Sequence, residues 1–321
     1  MKKNEQKQEK TIRTRGVLFG LLGEPTPAKR SGGVYTASLL FMEIISLIFS
    51  VIVLSQKNFT AAEMKKDWYL YLSFLLPQVA FLLAILEYRW QKKERIQPLI
   101  RAQKCHWKYF VIAVVLQIGL LSLSQVNTWF LQLLQRLGYK IQAVSIPSTD
   151  GIKIVGVLLV VALLPAVLEE TVFRGLLLKG MRCFGTTGAI LLSGALFALY
   201  HRSPEQTVYQ FCCGAAFALM AIRSGSVLPT MVSHFINNAV IVIFEACGVA
   251  ITGVATWIVF AISAVCLALA LVYLIFFEKN TLAPMKEESE RKAGRKNFFF
   301  AAAVGIILCV LTWCTNLISG F

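Results

Sequence analysis

Val155-Gly-Val-Leu-Leu-Val-Val-Ala-Leu-Leu-Pro165-Ala-Val-Leu-Glu-Glu-Thr-Val-Phe-Arg174-Gly-Leu-Leu-Leu178 places two adjacent carboxylates and a guanidinium inside an otherwise apolar run. A helix through it is long enough to cross a bilayer, which takes about 20 apolar residues. Each charge near the bilayer centre costs about 2.5–3.5 kcal/mol on insertion scales, so such residues face a bundle interior or a watery cavity and read as functional by default. Glu170 and Arg174 lie one helical turn apart and can pair along the helix, which lessens the cost of burying both. Glu169, about 100° further round, is left for a different partner. The plain structural alternative is an ion pair with a spare carboxylate, and the other spans decide between the two.

Composition sets the class. Of 321 residues, 57% are hydrophobic and 15% charged, against about 25% charged in soluble domains, and mean hydropathy is +0.66. The chain reads as an all-α, polytopic membrane bundle. A net charge of +15 would point to nucleic acid in a soluble protein. Here the Lys and Arg gather between apolar runs, where they set orientation, and no nucleic-acid partner is expected. The N-terminal segment stays polar and lacks the short apolar core of a cleavable signal peptide, so the first span is expected to be kept as an anchor. The eight cysteines fall mostly in apolar runs without metal-ligand spacing, Cys212 and Cys213 being adjacent, and read as small core residues.

Apolar runs cover about 35–54, 68–88, 109–133, 151–178, 187–201, 206–222, 227–244, 254–277 and 297–318. Runs five to seven are short, which leaves eight or nine transmembrane helices. With the N-terminus inside, segments 89–108, 178–186, 223–226 and 278–296 fall on the cytoplasmic side, in agreement with the Lys/Arg distribution. Residues 1–34 then form a basic cytoplasmic arm able to contact anionic lipid, followed by N-terminal transmembrane helices in 35–133. The expected location is the cell membrane, multi-pass.

Two later polar insertions matter. Phe197 precedes His201 by one turn on the same face, and Arg202-Ser-Pro204 ends that helix. His234 and Asn238 are four apart, on one face, with Asn237 a residue away. Taken singly, a histidine at a helix end is a cap and an intramembrane Asn is interhelical glue. His106 sits in a basic segment and reads as a headgroup histidine.

Glu-Glu-Thr-Val-Phe-Arg at 169–174, Phe-x-x-x-His at 197–201 and His-x-x-x-Asn at 234–238, in this order on candidate helices, resemble the three motifs of the CPBP family. That family includes type II CAAX prenyl endopeptidases and proteins of bacteriocin processing or immunity. The likeness covers about 151–244, roughly a third of the chain, and makes 151–246 a CPBP-like catalytic core followed by C-terminal transmembrane helices in 250–321. It implies a glutamate-dependent intramembrane endopeptidase without a cofactor, acting on a peptide or protein substrate at the bilayer. Glu169 matches the general base and His201 the histidine sharing its water. Glu170 and Arg174 match orienting, charge-balancing positions, and His234 and Asn238 the groups that stabilise the oxyanion.

Competing readings remain. Two glutamates and two histidines could ligate zinc, although no His-Glu-x-x-His is present and the later motifs look suited to donating hydrogen bonds. A non-enzymatic immunity or scaffold protein would keep the polar core for packing alone. A transporter is disfavoured because no repeated halves point to a central site. A straight-span count also puts Glu169 toward the cytoplasmic half of the fourth run and His201 near the far end of the fifth, too far apart to share a water.

Overall fold

The computed structural model describes residues 26–56, 59–92, 103–141 and 145–321. Most of the basic arm and part of the basic segment 89–108 lie outside them. Among the described residues the fold is helical throughout, with no strand. Seven helical stretches are long and apolar enough to cross a membrane. One of these, Lys153–Tyr200, contains both the fourth and the fifth apolar runs, and the sixth run is not among the seven.

Helix α1 (Pro27–Leu54) starts well before its apolar run because Thr26 caps it, its hydroxyl accepting from Lys29 N with Pro27 at the first turn. Helices α2 (Asp67–Lys92) and α3 (Lys108–Arg136) follow. The next segment is broken into short pieces: α4 (Lys153–Val157), a π-turn over Leu158–Leu163, α5 (Leu164–Glu170), a second π-turn over Thr171–Leu177 and a 3-10 stretch, Leu178–Phe184. Then come α6 (Gly185–Tyr200), α7 (Thr207–Ser224), α8 (Leu228–Ala246), α9 (Val254–Val272) and α10 (Glu288–Ser319).

The first π-turn has a definite cause. Pro165 has no N–H to give the carbonyl of Val161 four residues back, and Leu164 N bonds instead to Leu159 O, five back. π-turns of this kind concentrate at functional sites because they re-aim side chains. The segment ends at Gly185, whose φ of +70° an L side chain rarely adopts. There the chain reverses into α6.

That reversal folds the fifth run back against the fourth, an arrangement outside the straight-span count. Gly185 lies sixteen residues after Glu169 and sixteen before His201, so the reversal there turns the stretch that ends in His201 back toward the one that carries Glu169. Phe173 and Phe197, each twelve residues from Gly185, confirm the register with ring centroids 5.0 Å apart. Helix α6 has 16 residues, about 24 Å, short of a hydrocarbon core of about 30 Å. A 3-10 turn at Pro204–Gln206 then leads from α6 into α7. Gly194 and Gly214 bring α6 and α7 into backbone contact, since a side chain at Gly214 would strike Gly194 and Phe197.

Candidate active site

The second π-turn carries Arg174, which is fully buried. Its Nη1 donates to Glu170 Oε1 at 2.7 Å and its Nη2 to Gly214 O at 3.1 Å, reached because α6 and α7 touch closely. Its guanidinium carbon sits 4.3 Å from the Phe197 ring centroid and 5.4 Å from that of Phe217, so aromatic faces replace lost hydration. Glu170, also fully buried, uses the same Oε1 to accept from His234 Nδ1 at 3.0 Å. The i, i+4 pair expected from the sequence is therefore formed, with His234 of α8 as its third member.

Glu169 stands apart from this unit. Its carboxylate interacts with His234, with the Glu170–Arg174 pair and with the Gln78 side chain of α2. Unlike Glu170 it is only half-buried. His201 is half-buried too, and its Nδ1 donates to Phe197 O at 2.8 Å. The Phe197 ring touches both imidazoles, with centroids 4.8 Å from His201 and 6.1 Å from His234. All three motifs thus converge on Phe197 and Arg174.

The hydrogen bonds fix the tautomers. A carbonyl and a carboxylate only accept, so both histidines carry a proton on Nδ1, and a neutral ring presents a lone pair at Nε2. His201 offers its site an acceptor, and His234 donates from Nε2 only as an imidazolium. Asn238 is partly committed as well: one of its two N–H bonds goes to Val161 O at 3.2 Å, the carbonyl that Pro165 leaves without a partner. The other stays available.

Several contributors were not legible in the sequence. Gln78, Gln117 and Tyr209 belong to no motif spacing, and only the packing of α2, α3 and α7 brings them to the motifs. His106, as expected, lies away from the site, exposed, with Nδ1 accepting from Lys108 N.

A cavity of about 370 Å³ adjoins the turn after His201, lined by polar groups including Asn127, Ser203, Glu205, Gln206 and Asn316. At its rim Tyr139 donates to Glu205 Oε1 at 2.8 Å. Burial, reinforced by that carboxylate, pushes the Tyr139 phenol up to about 12.

For a metal, the donor chemistry is suitable in part, since two Nε2 lone pairs backed by a carbonyl and a carboxylate resemble supported ligands. The geometry is not. Among the described residues no three His, Cys, Asp or Glu side chains lie close enough to share an ion.

No curated protein and no solved structure matches the chain. Residues 151–240, which hold all three motifs, match the family model described as Rce1-like, type II CAAX prenyl endopeptidase. Members of that family are peptide hydrolases and generally do not depend on a cofactor. Residues 151–240 of this multi-pass membrane protein are therefore similar to the Rce1-like type II CAAX prenyl endopeptidase family.

Proposed function

We propose that the protein is a glutamate-dependent intramembrane endopeptidase that needs no metal, and that it cleaves a membrane-associated peptide, either prenylated and CAAX-like or a leader peptide. The observation carrying this reading is the division between the two glutamates. Glu170 is locked to Arg174 and His234, while its neighbour Glu169 is less deeply buried as a residue and has no ion pair with a guanidinium.

A water gives one hydrogen to Glu169 and the other, as a hydrogen bond, to His201 Nε2. Glu169 takes the proton as the water oxygen adds to the scissile carbonyl. The oxyanion is met by the uncommitted N–H of Asn238 and, when that ring carries a second proton, by His234 Nε2–H. Glu169 then returns the proton to the leaving nitrogen, the C–N bond breaks, and a carboxylic acid and an amine result. The Lys/Arg pattern supports an N-terminus on the cytoplasmic side.

The test uses the full-length protein in liposomes with fluorogenic peptides anchored in the bilayer, prenylated and unprenylated. General base help is worth about 10²–10⁴-fold, so Glu169→Gln should lower turnover by at least about 10²-fold with the thermal midpoint unchanged. Full activity in that variant rules the assignment out. Stoichiometric zinc in active purified protein would favour metal hydrolysis instead.

A further inference from the structure

The amides of the third motif are not oriented by their own helix alone. Gln117, in the middle of α3 and outside the matched residues, is 2% exposed, and both ends of its carboxamide are engaged. Its Oε1 accepts from Ser233 Oγ at 3.1 Å, and its Nε2 donates to Asn237 Oδ1 at 2.8 Å. The Tyr209 hydroxyl of α7 donates to that same oxygen at 2.6 Å. Asn237 then gives its Nδ2 hydrogen to Asn238 Oδ1 at 3.0 Å, and Asn238 turns its own Nδ2 onto Val161 O at 3.2 Å.

Each link runs one way, because a carbonyl oxygen only accepts and an amide NH₂ only donates. Turning any one amide over would set oxygen against oxygen or NH₂ against NH₂ in a buried, low-dielectric setting, where aligned bonds reinforce and opposed ones are costly. The whole chain of bonds runs from Ser233 through an α3 side chain and ends at the carbonyl freed by Pro165.

We propose that Gln117 is a positioning residue for catalysis: it fixes which way round the Asn238 carboxamide sits, so that a hydrogen rather than an oxygen meets the developing oxyanion. This rests on the reading of Asn238 given above. Tyr209 supports the same orientation from α7, which makes the register of three helices a condition of one donor's direction. Because oxyanion charge exists only in the transition state, losing that orientation acts on kcat and leaves KM unchanged.

The test is a double-variant cycle in full-length protein in liposomes, with the same peptide reporters. Gln117→Met keeps the side-chain length and removes both hydrogen-bonding ends; it should lower kcat about 10- to 100-fold at constant KM, while Asn238→Ala lowers it about 10²–10³-fold. The double variant should be no slower than Asn238→Ala, because Gln117 acts only through Asn238. Should Gln117→Met fail to fold, Asn237→Asp breaks the next link at nearly constant shape: it still accepts from Gln117 and Tyr209 but has no hydrogen for Asn238. It should behave in the same way within the cycle. Losses that multiply in the double variants, an unchanged kcat, or a change confined to KM overturn the proposal. They leave the endopeptidase reading intact so long as Glu169→Gln still abolishes turnover, whereas no turnover by the wild type overturns both.

Discussion

Arg202 is the one described non-glycine residue with a positive φ, +53°, and it directly follows His201. An L-residue in that conformation costs about 1–2 kcal/mol, and helix ends that need it usually carry Gly. The side chain explains the exception. Its Nη1 donates to Glu43 Oε1 of α1 at 2.5 Å, and its backbone oxygen accepts from Asn316 Nδ2 of α10 at 2.8 Å, so two outer helices grip the turn. Arg202→Ala should keep the strain and lose the ion pair, whereas Arg202→Gly loses the pair but relaxes the backbone. The Gly variant should therefore be the more stable of the two by about 1–2 kcal/mol, read from thermal midpoints in matched detergent; equal midpoints would mean the conformation carries no cost. Arg202-Ser-Pro204 announces the end of a helix in the sequence, since a residue before proline avoids α geometry. Nothing there announces Glu43 as the partner, because it stands alone in an apolar run 159 residues away.

What an element contributes is clearest in the broken segment around Glu169. The pairing of Glu170 with Arg174 was legible because i, i+4 spacing brings side chains together on any helix. The meeting of Phe173 with Phe197 was not, because it depends on Gly185 being the point of reversal; as straight spans, the same residues separate. The π-turn was equally hidden. Pro165 marks a lost hydrogen bond, but whether the helix kinks, ends or widens depends on what satisfies Val161 O, and that group is Asn238, from α8. Pro165→Ala restores an N–H able to bond Val161 O, which should close the π-turn and displace Asn238. The expected outcome is a thermal midpoint equal to or above that of the wild type, as befits removing proline from a helix, together with turnover reduced about tenfold or more through the misplaced oxyanion donor. Unchanged turnover would mean that Val161 O is not what holds Asn238 in place.

Around the polar centre, the helices at the two ends of the chain pack as a pair: Thr36 Oγ1 of α1 donates to Ala301 O of α10 at 2.7 Å, and Gly305 N donates back to Thr36 Oγ1 at 3.3 Å. Small residues and hydroxyls serve this role in membranes, where apolar surface gains nothing by leaving lipid. Elsewhere the bundle is tied by charge. Beyond α9, Glu278 accepts from Lys108 Nζ at 2.6 Å and from the Tyr109 hydroxyl at 2.7 Å, both on α3, while Arg223 at the end of α7 donates to Leu274 O at 2.8 Å. Burial works to raise the Glu278 carboxyl, but hydrogen bonds from Lys108, Tyr109 and Tyr273 outweigh it and hold the group below the usual carboxylate range. A carboxyl depressed in the folded state contributes stability that is present above its unfolded value, near 4.3, and is lost as pH falls through the folded one. Glu278→Gln should thus be less stable than the wild type at pH 7 by about 1–3 kcal/mol, the range for a hydrogen-bonded charged group. Thermal midpoints followed from pH 7 to pH 3 should converge below about pH 4 as the wild-type carboxylate takes up its proton. A gap that stays constant to pH 3 would mean that the shape of the side chain, and not its charge, joins α3 to the end of α9.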